Sequence, residues 1–569
     1  MELKLVYRIL RKISDWTLDG YFSEVLVEGQ ENVPKNCALI IASSHHNEII
    51  DIATLAATMP HRRHLSFWAK STMFANPIAG AILSSSGAIP VKRNPNTNNG
   101  GSTTSPSDSS GGSSTPPSTS SQASLFLETS KALARGEVIG VFPEGTSYTE
   151  PGIVQMMSGA AWAAVDYAKW IEEGNGREMD LVIVPVGIVY TDKSRYLSRI
   201  CVRYGKAVRI ADYTTGIKDA EDKGAASRNA VKDIMKEVEG QVLEYTVNAP
   251  DWDTLYAALT ARDLLWTDEH NIPLQEWVSV SQILITLFSR PTTDTKTLSD
   301  IKASLTKYRG LLHYTNIRHA VLESLLPPMD QPQKSLLSRT ASSAIRLPIR
   351  LLTIALFIPP FLVHMPAYFT GKLFERMLAA KGEEEAKAQF KAVGGGIGLG
   401  GGIGVVLGFL WKTYGWKFLL GWEGKSVDTP LAMLKVTLSF IGMVYTGVWA
   451  ITRWHNALVG RVYYRTQQII TSLKIMMHRH PGLTPTELEA YGRPPLPPAN
   501  PYIKRKELQL GETQWMPPPR VPVSSLRLVG PLLRARVEAY NSVARFLAAP
   551  EYRDVVEFLK ARGARVPLL

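Results

Sequence analysis

The sequence predicts an α/β domain, with a mixed sheet flanked by helices, followed by a helical region that carries two to three membrane-embedded segments. Short apolar runs of the kind found in buried strands lie at 37–43, 138–142, 181–190 and 200–204. Helical patterns lie between them, at 49–58, 123–135 and 159–173. Uncharged apolar runs cluster after residue 345. Alternating strands and helices favour the α/β class, and the later runs favour a membrane.

The chain has 569 residues, which is too many for one hydrophobic core. Five parts are expected: an amphipathic helix at 1–22, the α/β domain at 23–240, a helical region at 241–340, membrane-embedded segments at 346–455, and a proline-rich and helical tail at 456–569. The first helix could lie on a membrane surface or pack on its own domain.

One stretch interrupts the α/β domain. Residues 94–122 contain a single charged residue and no large apolar one, so they are expected to form a disordered surface insertion. A regulatory role is the alternative, because Ser105 precedes Pro106 in a form that could accept phosphate.

Three runs are candidates for membrane embedding: 351–371, 392–411 and 436–452. The first is long enough to cross about 30 Å of hydrocarbon, although Pro359 and Pro360 would kink it or turn it into a re-entrant hairpin. The second is rich in glycine, and a soluble loop is its alternative. Its glycines at every fourth position predict a smooth stripe for close helix packing in lipid: Gly396, Gly400, Gly404 and Gly408.

Charge and cysteine content narrow the class of partner. The formal net charge is +12, which suits anionic partners such as lipid head groups or phosphorylated small molecules. No nucleic-acid-binding motif is present, so the expected partner is a lipid bilayer or a phosphorylated small molecule and not a nucleic acid. Cys37 and Cys201 are the two cysteines, which excludes a disulfide framework and a four-cysteine zinc site. The N-terminus lacks the apolar centre of a secretory signal.

The stretch I41-A-S-S-H-H-N-E-I-I-D51 places polar groups where a strand meets a helix. If the turn folds His46 back, Asp51 can accept a hydrogen bond from one ring nitrogen and leave the other nitrogen free as a base. Alternatively, Asp51 only favours the helix N-terminus and His46 is an ordinary polar residue. The other histidines and carboxylates nearby show no ordered ligand spacing, so no metal site is predicted.

Three further motifs follow. In G87-A-I-P-V-K-R93, Lys92 and Arg93 could clamp a phosphate, or simply end a surface strand. In V141-F-P-E-G-T-S147, Glu144 could accept hydrogen bonds from a polyol and Gly145 permits a tight turn. Thr146 and Ser147 could donate to phosphate oxygens, and an ordinary turn is the alternative. The run V184-P-V-G-I-V-Y190 is mostly structural, or forms the wall of an apolar channel.

The order of these four motifs resembles that of the glycerophospholipid acyltransferase family over about residues 23–240. The second motif resembles that of enzymes that acylate the first hydroxyl. The run D251-W-D-T-L255, with A261-R-D-L-L265, is similar to a stretch in fungal glycerol-3-phosphate/dihydroxyacetone-phosphate acyltransferases. Two departures stand out: Glu48 and Ile49 replace Gln and Phe, and 153–159 lacks the usual Leu-Pro-Leu-Lys run.

The resemblance implies His46 as general base and Asp51 as its orienter. It implies acceptor binding by Lys92, Arg93, Glu144, Gly145, Thr146 and Ser147. The acceptor hydroxyl would attack the acyl-CoA thioester directly, with acyl-CoA as co-substrate and with no cofactor and no metal.

The expected activity is therefore acyl transfer to the sn-1 hydroxyl of glycerol 3-phosphate, the first step of phosphatidic acid synthesis. Dihydroxyacetone phosphate and lysophospholipids are alternative acceptors. A catalytically silent lipid-binding protein and a metal hydrolase are alternatives of other classes. The family implies the endoplasmic reticulum membrane, with a cytosolic catalytic domain; the oligomeric state stays open.

Overall fold

The structure is a computed structural model that describes residues 5–91, 119–175, 179–217, 219–290, 295–326, 347–379, 383–410, 412–413, 430–498, 500–503 and 522–566. Most of the predicted insertion at 94–122 lies outside these residues. The chain is already helical at Thr119, so this helix begins four residues before its predicted start at 123.

The centre of the fold is an eight-stranded sheet. Its strands are β1 (Glu24–Glu28), β2 (Ala38–Ser43), β3 (Leu65–Lys70), β4 (Ile89–Val91), β5 (Val138–Val141), β6 (Leu181–Tyr190), β7 (Arg199–Tyr204) and β8 (Val208–Arg209). The order across the sheet is β1-β7-β6-β2-β5-β3-β4, with β8 also paired to β6. The four predicted strands are present, as β2, β5, β6 and β7.

The sheet is mixed, as predicted, because strand β6 pairs in parallel with one neighbour and antiparallel with another. Residues up to Val186 pair in parallel with β2, and residues from Val186 onward pair antiparallel with β7. Gly187 lies at this change, where a Cβ atom would come within 2.5 Å of the Tyr245 side chain. The Pro-Val-Gly sequence thus sits in a continuous buried strand that needs a glycine for close packing.

Helices flank both faces of the sheet: α1 (Leu5–Tyr21), α2 (Glu48–Thr58), α3 (Pro77–Ser86), α4 (Thr119–Ala134), α5 (Gly159–Glu172), α6 (Ala211–Thr214) and α7 (Lys223–Glu244). Two apolar cores result. One lies between the sheet and α4, α5 and α7, with Ile139 and Ile234 fully buried. The other lies between the sheet and α1 and α2, with Ile41 and Leu55 fully buried.

Helix α1 shows two faces. Tyr7 and Leu18 are buried against the domain, whereas Leu5, Ile9 and Trp16 on other faces are at least half exposed. Both interpretations of the N-terminal helix are therefore compatible: it packs on its own domain and also presents apolar side chains outward.

A third core is mostly helical and also includes Val189 and Cys201 of the sheet. It combines α8 (Trp252–Trp266), α9 (Trp277–Ser289), α10 (Thr295–Thr315) and α11 (His319–Leu325) with α16 (Ser525–Leu547) and α17 (Arg553–Ala561). The middle helical region and the C-terminal tail, expected as separate parts, thus share one core. Nothing in their patterns predicted this pairing, because an amphipathic face does not specify which distant helix covers it.

Between these two segments of the chain lie three long helices, α12 (Leu347–Leu378), α13 (Lys387–Leu410) and α14 (Pro430–Met476), followed by the short α15 (Pro485–Glu489). Helices α12 and α13 form an antiparallel hairpin and are long and apolar enough to cross a membrane, over Leu351–Leu378 and Lys387–Phe409. The third candidate, 436–452, lies inside α14 and stays a prediction. Pro359 and Pro360 lie within continuous helix.

The glycine prediction has the right helix but the wrong face. The stripe Gly396, Gly400, Gly404 and Gly408 has nothing within 4 Å of its added Cβ positions. The contact with α12 is made by Gly398, whose Cβ would lie 2.6 Å from the Pro366 carbonyl oxygen, and by Gly394, 2.9 Å from the Phe374 ring. Glycines recur at four-residue spacing on more than one face of α13. Spacing alone therefore did not identify the face that packs against α12.

Candidate active site

The first and third motifs meet at one edge of the sheet. Strands β2 and β5 are parallel neighbours, so their carboxyl ends lie side by side. The histidine turn follows β2, and the Pro-Glu-Gly-Thr-Ser turn follows β5. In open α/β sheets, ligands bind outside the carboxyl ends of the strands.

Asp51 is fully buried in the first turn of α2, as predicted, and organises the histidine turn. Its Oδ2 lies 2.9 Å from His45 Nδ1 and accepts a hydrogen bond from the Asn47 backbone N–H at 2.7 Å. Its Oδ1 accepts a 2.6 Å hydrogen bond from the Tyr190 hydroxyl at the end of β6. Three elements of the fold therefore converge on one carboxylate.

The structure corrects the predicted pairing of His46 with Asp51. The hydrogen bond to Asp51 is made by His45, because His45 is buried, stacked on the Phe142 ring at 4.0 Å, and turned with Nδ1 toward the carboxylate. Among the described residues, no hydrogen bond is made by the His46 ring, which is partly exposed to the groove beside the site.

Burial lowers the pKa of His46 to about 4, an effect that the nearby Asp51 charge opposes. His46 is therefore a neutral imidazole at neutral pH, with a nitrogen able to accept a proton.

Glu144 joins the two turns. It is fully buried, and its Oε1 accepts a 2.6 Å hydrogen bond from the His45 backbone N–H. Burial raises the pKa of Glu144 to about 8, so the group is largely protonated at neutral pH. A protonated carboxyl can donate as well as accept a hydrogen bond, which suits contact with a hydroxyl-bearing ligand.

The residues after Glu144 are shaped by a tight turn. Gly145 has a φ of +78°, a backbone conformation that other residues adopt only with strain, so glycine is favoured here. Thr146 and Ser147 are both buried, and the Thr146 hydroxyl donates to the Ser147 carbonyl oxygen at 3.4 Å. The predicted turn is present, next to the histidines.

Lys92 and Arg93 lie outside the described residues, immediately after β4. The register pairs Val91 with Lys70, so Lys70 stands at the end of β3 beside the last described residue of the second motif. Sequence reasoning missed Lys70. A lysine at the end of an apolar strand carries no distinctive spacing, and only the β3–β4 pairing brings it beside the second motif.

Two further polar residues reach the site from outside the four motifs. Lys193 Nζ donates to the Tyr148 carbonyl oxygen at 3.2 Å and to Thr149 Oγ1 at 2.7 Å, and burial lowers its pKa. Gln389, in the first turn of α13, donates to the Glu48 carboxylate. The hairpin thus contacts the start of α2 directly.

The site opens into a groove of about 4650 Å³. Its lining includes His45 and His46 at one part and apolar residues of α13 and α14, such as Leu399 and Val448, at another. Such a groove can accommodate a long apolar chain beside a polar reaction centre. Within the described part of the chain, no three histidine, cysteine, aspartate or glutamate side chains are grouped so as to hold a metal ion.

Comparisons with known proteins give similarities to acyltransferases. Residues 24–189 match the family model described as "Acyltransferase". The chain is 23% identical over 263 residues to glycerol-3-phosphate O-acyltransferase 2 of Saccharomyces cerevisiae, covering 44% of this chain and 32% of that protein. It is 23% identical over 203 residues to glycerol-3-phosphate O-acyltransferase 1 of the same yeast, covering 36% and 26%.

An uncharacterized acyltransferase of Schizosaccharomyces pombe is 22% identical over 204 residues, covering 36% of this chain and 29% of that protein. The matches thus span about a third or less of these relatives. The 1-acyl-sn-glycerophosphate acyltransferase of Thermotoga maritima is 16% identical, covers 42% of this chain and 81% of its own, and has a TM-score of 0.26. Residues 24–189 thus match an acyltransferase family model, and the yeast relatives support a likeness of the α/β domain to glycerophospholipid acyltransferases.

Proposed function

We propose that this chain transfers a fatty acyl group from acyl-CoA to the sn-1 hydroxyl of glycerol 3-phosphate. One observation carries the proposal: the hydrogen bond from the His45 N–H to Glu144 joins the turn with the candidate base to the turn expected to hold the acceptor. The names of the two yeast relatives support glycerol 3-phosphate as the acceptor. Dihydroxyacetone phosphate and lysophospholipids are the alternative acceptors.

In the proposed reaction, a neutral imidazole removes the proton from the acceptor hydroxyl as its oxygen attacks the thioester carbonyl carbon. The carbon–sulfur bond then breaks, and the imidazolium returns the proton to the CoA thiolate. A positioned base contributes about 10²–10⁴-fold to the rate. Holding both substrates at the end of the sheet supplies a further large part.

His46 is the proposed base, on the motif and on its accessible, neutral ring. Asp51 would act on it through its charge, and a closer contact could form only when substrates bind, as catalytic hydrogen bonds often do. His45 is the specific alternative, because its Nδ1 already lies 2.9 Å from Asp51. In that case Asp51 orients His45, and His46 contacts substrate.

The remaining roles follow the same logic. We propose that Lys92 and Arg93 bind the acceptor phosphate, while Glu144 and the Gly145–Ser147 turn bind its hydroxyl side. The acyl chain would lie along the apolar part of the groove toward α13 and α14. The endoplasmic reticulum membrane, with the catalytic domain on the cytosolic side, is the proposed location.

The test uses membranes that contain the overexpressed full chain and measures labelled acyl transfer from palmitoyl-CoA to glycerol 3-phosphate. Wild type, His46→Ala and His45→Ala are compared at equal expression. His480→Ala, an exposed histidine in the tail, is the matched control. We expect transfer by wild type and control, and a loss of about 10²-fold or more in His46→Ala.

Loss in His45→Ala with activity retained in His46→Ala would transfer the role of base to His45. Transfer by wild type to dihydroxyacetone phosphate or a lysophospholipid alone would correct the acceptor. Wild type that binds lipid but transfers to no acceptor would contradict the proposal and favour a silent lipid-binding protein. Loss of activity on adding a chelator would instead favour a metal hydrolase.

A further inference from the structure

A short segment of the C-terminal tail, residues 500–503, lies against the candidate active site. It is separated by more than 350 positions from the third-motif turn that it contacts. Asn500 and Tyr502 line the same groove as His45, His46 and Lys70. Ile503 is buried, which anchors the end of this tail segment.

Hydrogen bonds connect the tail segment to the turn after β5. Asn500 Nδ2 donates to the Ser147 carbonyl oxygen at 3.1 Å. Gln155 Nε2 donates both to the Glu144 carbonyl oxygen at 2.7 Å and to the Tyr502 carbonyl oxygen at 3.2 Å. The tail segment therefore contacts the backbone of the turn directly at Ser147, and Gln155 links it to the backbone at Glu144.

Tyr502 also holds Lys70. Lys70 Nζ donates to the Tyr502 hydroxyl oxygen at 3.2 Å and lies 5.2 Å from the centre of the ring. Both contacts favour one position of the ammonium group. Because Lys70 is in register with Val91, that position is beside the residue that directly precedes Lys92 and Arg93 in the sequence.

We propose that Tyr502 and Asn500 are positioning residues of the acceptor site, so that the tail segment completes the pocket for a phosphorylated acceptor. This inference rests on the proposed function. A lysine has a flexible four-carbon stem, and ordering it costs binding free energy unless it is already held in place. Tyr502 supplies that order before the acceptor arrives.

The chemistry of the contact suits a phosphate ligand. The phenolic oxygen accepts from one N–H of Lys70. The Lys70 ammonium has two further N–H donors, which can contact phosphate oxygens. The tail segment thus orders a cation without adding a negative charge.

The test uses the purified full chain in detergent and measures initial rates with glycerol 3-phosphate and palmitoyl-CoA. In Tyr502→Phe, which keeps the ring and loses the hydroxyl, we expect the KM for glycerol 3-phosphate to rise about tenfold, or about 1.4 kcal/mol. The kcat and the KM for palmitoyl-CoA should stay within about twofold, since the hydrogen bonds between the tail segment and the α/β domain are made with Lys70, Gln155 and Ser147. Tyr502→Ala should raise the acceptor KM further.

A double-substitution cycle separates positioning from a general structural role. In a Lys70→Met background, Tyr502→Phe should add little further increase in acceptor KM, because its effect passes through Lys70. Tyr552→Phe and Lys307→Met, both in the helical core region, are the matched controls and should leave both KM values unchanged. Equal effects of Tyr502→Phe with and without Lys70 would overturn the proposal.

Binding is measured in parallel as the increase in Tm caused by glycerol 3-phosphate. A smaller increase for Tyr502→Phe than for wild type supports the proposal, whether or not wild type transfers an acyl group. Binding without transfer would mean that the proposed function has failed while the tail proposal stands. Unchanged KM and unchanged binding in Tyr502→Phe would overturn the tail proposal alone, and no binding by wild type would overturn both.

Discussion

Two parts of the chain that lie far beyond the α/β domain in sequence reach the candidate site, and their chemistry differs. The hairpin linker, residues 383–389, contacts the start of α2 and the Thr149 side chain. The tail segment, residues 500–503, contacts Lys70 and the turn after β5. One side therefore supports the histidine turn, and the other supports the turn of the third motif.

The two sides differ in charge. Glu383, Glu384 and Glu385 stand in the hairpin linker, and burial together with Glu385 and Glu383 raises the pKa of Glu48 to about 7. The tail segment contributes an amide and a phenol and leaves the Lys70 charge in place. A phosphate dianion is repelled by the first side and attracted by the second. If the acceptor is phosphorylated, as we propose, this difference in charge favours its phosphate on the tail side and its reacting hydroxyl nearer the histidines.

The strongest way to break this arrangement is to separate the hairpin helices. In Gly398→Val, the added Cβ would lie 2.6 Å from the Pro366 carbonyl oxygen, so α12 and α13 must move apart. Overpacking of this kind costs about 1–3 kcal/mol. We expect a lower Tm in detergent and, because the linker moves with α13, an activity loss of about tenfold or more.

Gly404→Val is the matched control, since nothing lies within 4 Å of its added Cβ. It should leave the Tm and the activity close to those of wild type. Equal losses in both variants would mean that the loss does not come from contact between α13 and α12. It would then come from replacing any glycine of α13.

This pair also shows what the sequence could predict. Strand positions β2, β5, β6 and β7 followed from apolar runs bounded by turn residues, and the hairpin helices followed from their lack of charge. The packed face of α13 did not follow, because glycines at 394 and 398 alternate with those at 396 and 400. Only the partner helix decides which face is covered.

A smaller effect is expected from loosening the hairpin linker alone. Gln389→Ala removes an acceptor for the Ile49 backbone N–H and a donor to Glu48. A neutral hydrogen bond contributes about 0.5–1.5 kcal/mol, so we expect kcat to fall about two- to tenfold. The KM for glycerol 3-phosphate should not change, in contrast to Tyr502→Phe.

Steady-state kinetics of Gln389→Ala and Tyr502→Phe, measured side by side, checks this prediction. Gln282→Ala, in α9 of the helical core and hydrogen-bonded to Asn248, controls for loss of a glutamine amide elsewhere. A rise in acceptor KM in Gln389→Ala equal to that in Tyr502→Phe would remove the distinction between the two sides.

The site was predictable to the extent that its residues are neighbours in sequence. Asp51 lies in the first turn of α2, and Gly145 makes the tight turn, as their spacing predicts. The pairing of Asp51 with His45 instead of His46 is accompanied by stacking of the His45 ring on Phe142. Phe142 follows β5, the neighbouring strand, so this contact is not visible in the local sequence. Gln389 and Tyr502 were missed because their partners lie more than 300 positions away.

The smallest expected effect concerns Glu144. This residue contacts the histidine turn through its carboxyl group and Gln155 through its backbone. Its folded pKa of about 8 lies above the ordinary value of 4.5, because burial disfavours the charged form. The protonated group therefore contributes stability that is fully present below about pH 4.5 and is lost as the pH rises through about 8. Glutamine keeps the acceptor for the His45 N–H and cannot ionise.

The Tm of Glu144→Gln relative to that of wild type should therefore increase as the pH is raised from 5 to 9. Each kcal/mol of unfolding free energy that wild type loses corresponds to about 2–4 °C. Thermal unfolding in detergent at several pH values measures this. Glu557→Gln, at an exposed position in α17, should show no such trend. A Tm difference that stays constant with pH would mean that Glu144 is already ionised in the folded protein. In that case an anionic carboxylate would face the acceptor, and the cations of the tail side would have to offset its repulsion of phosphate as well.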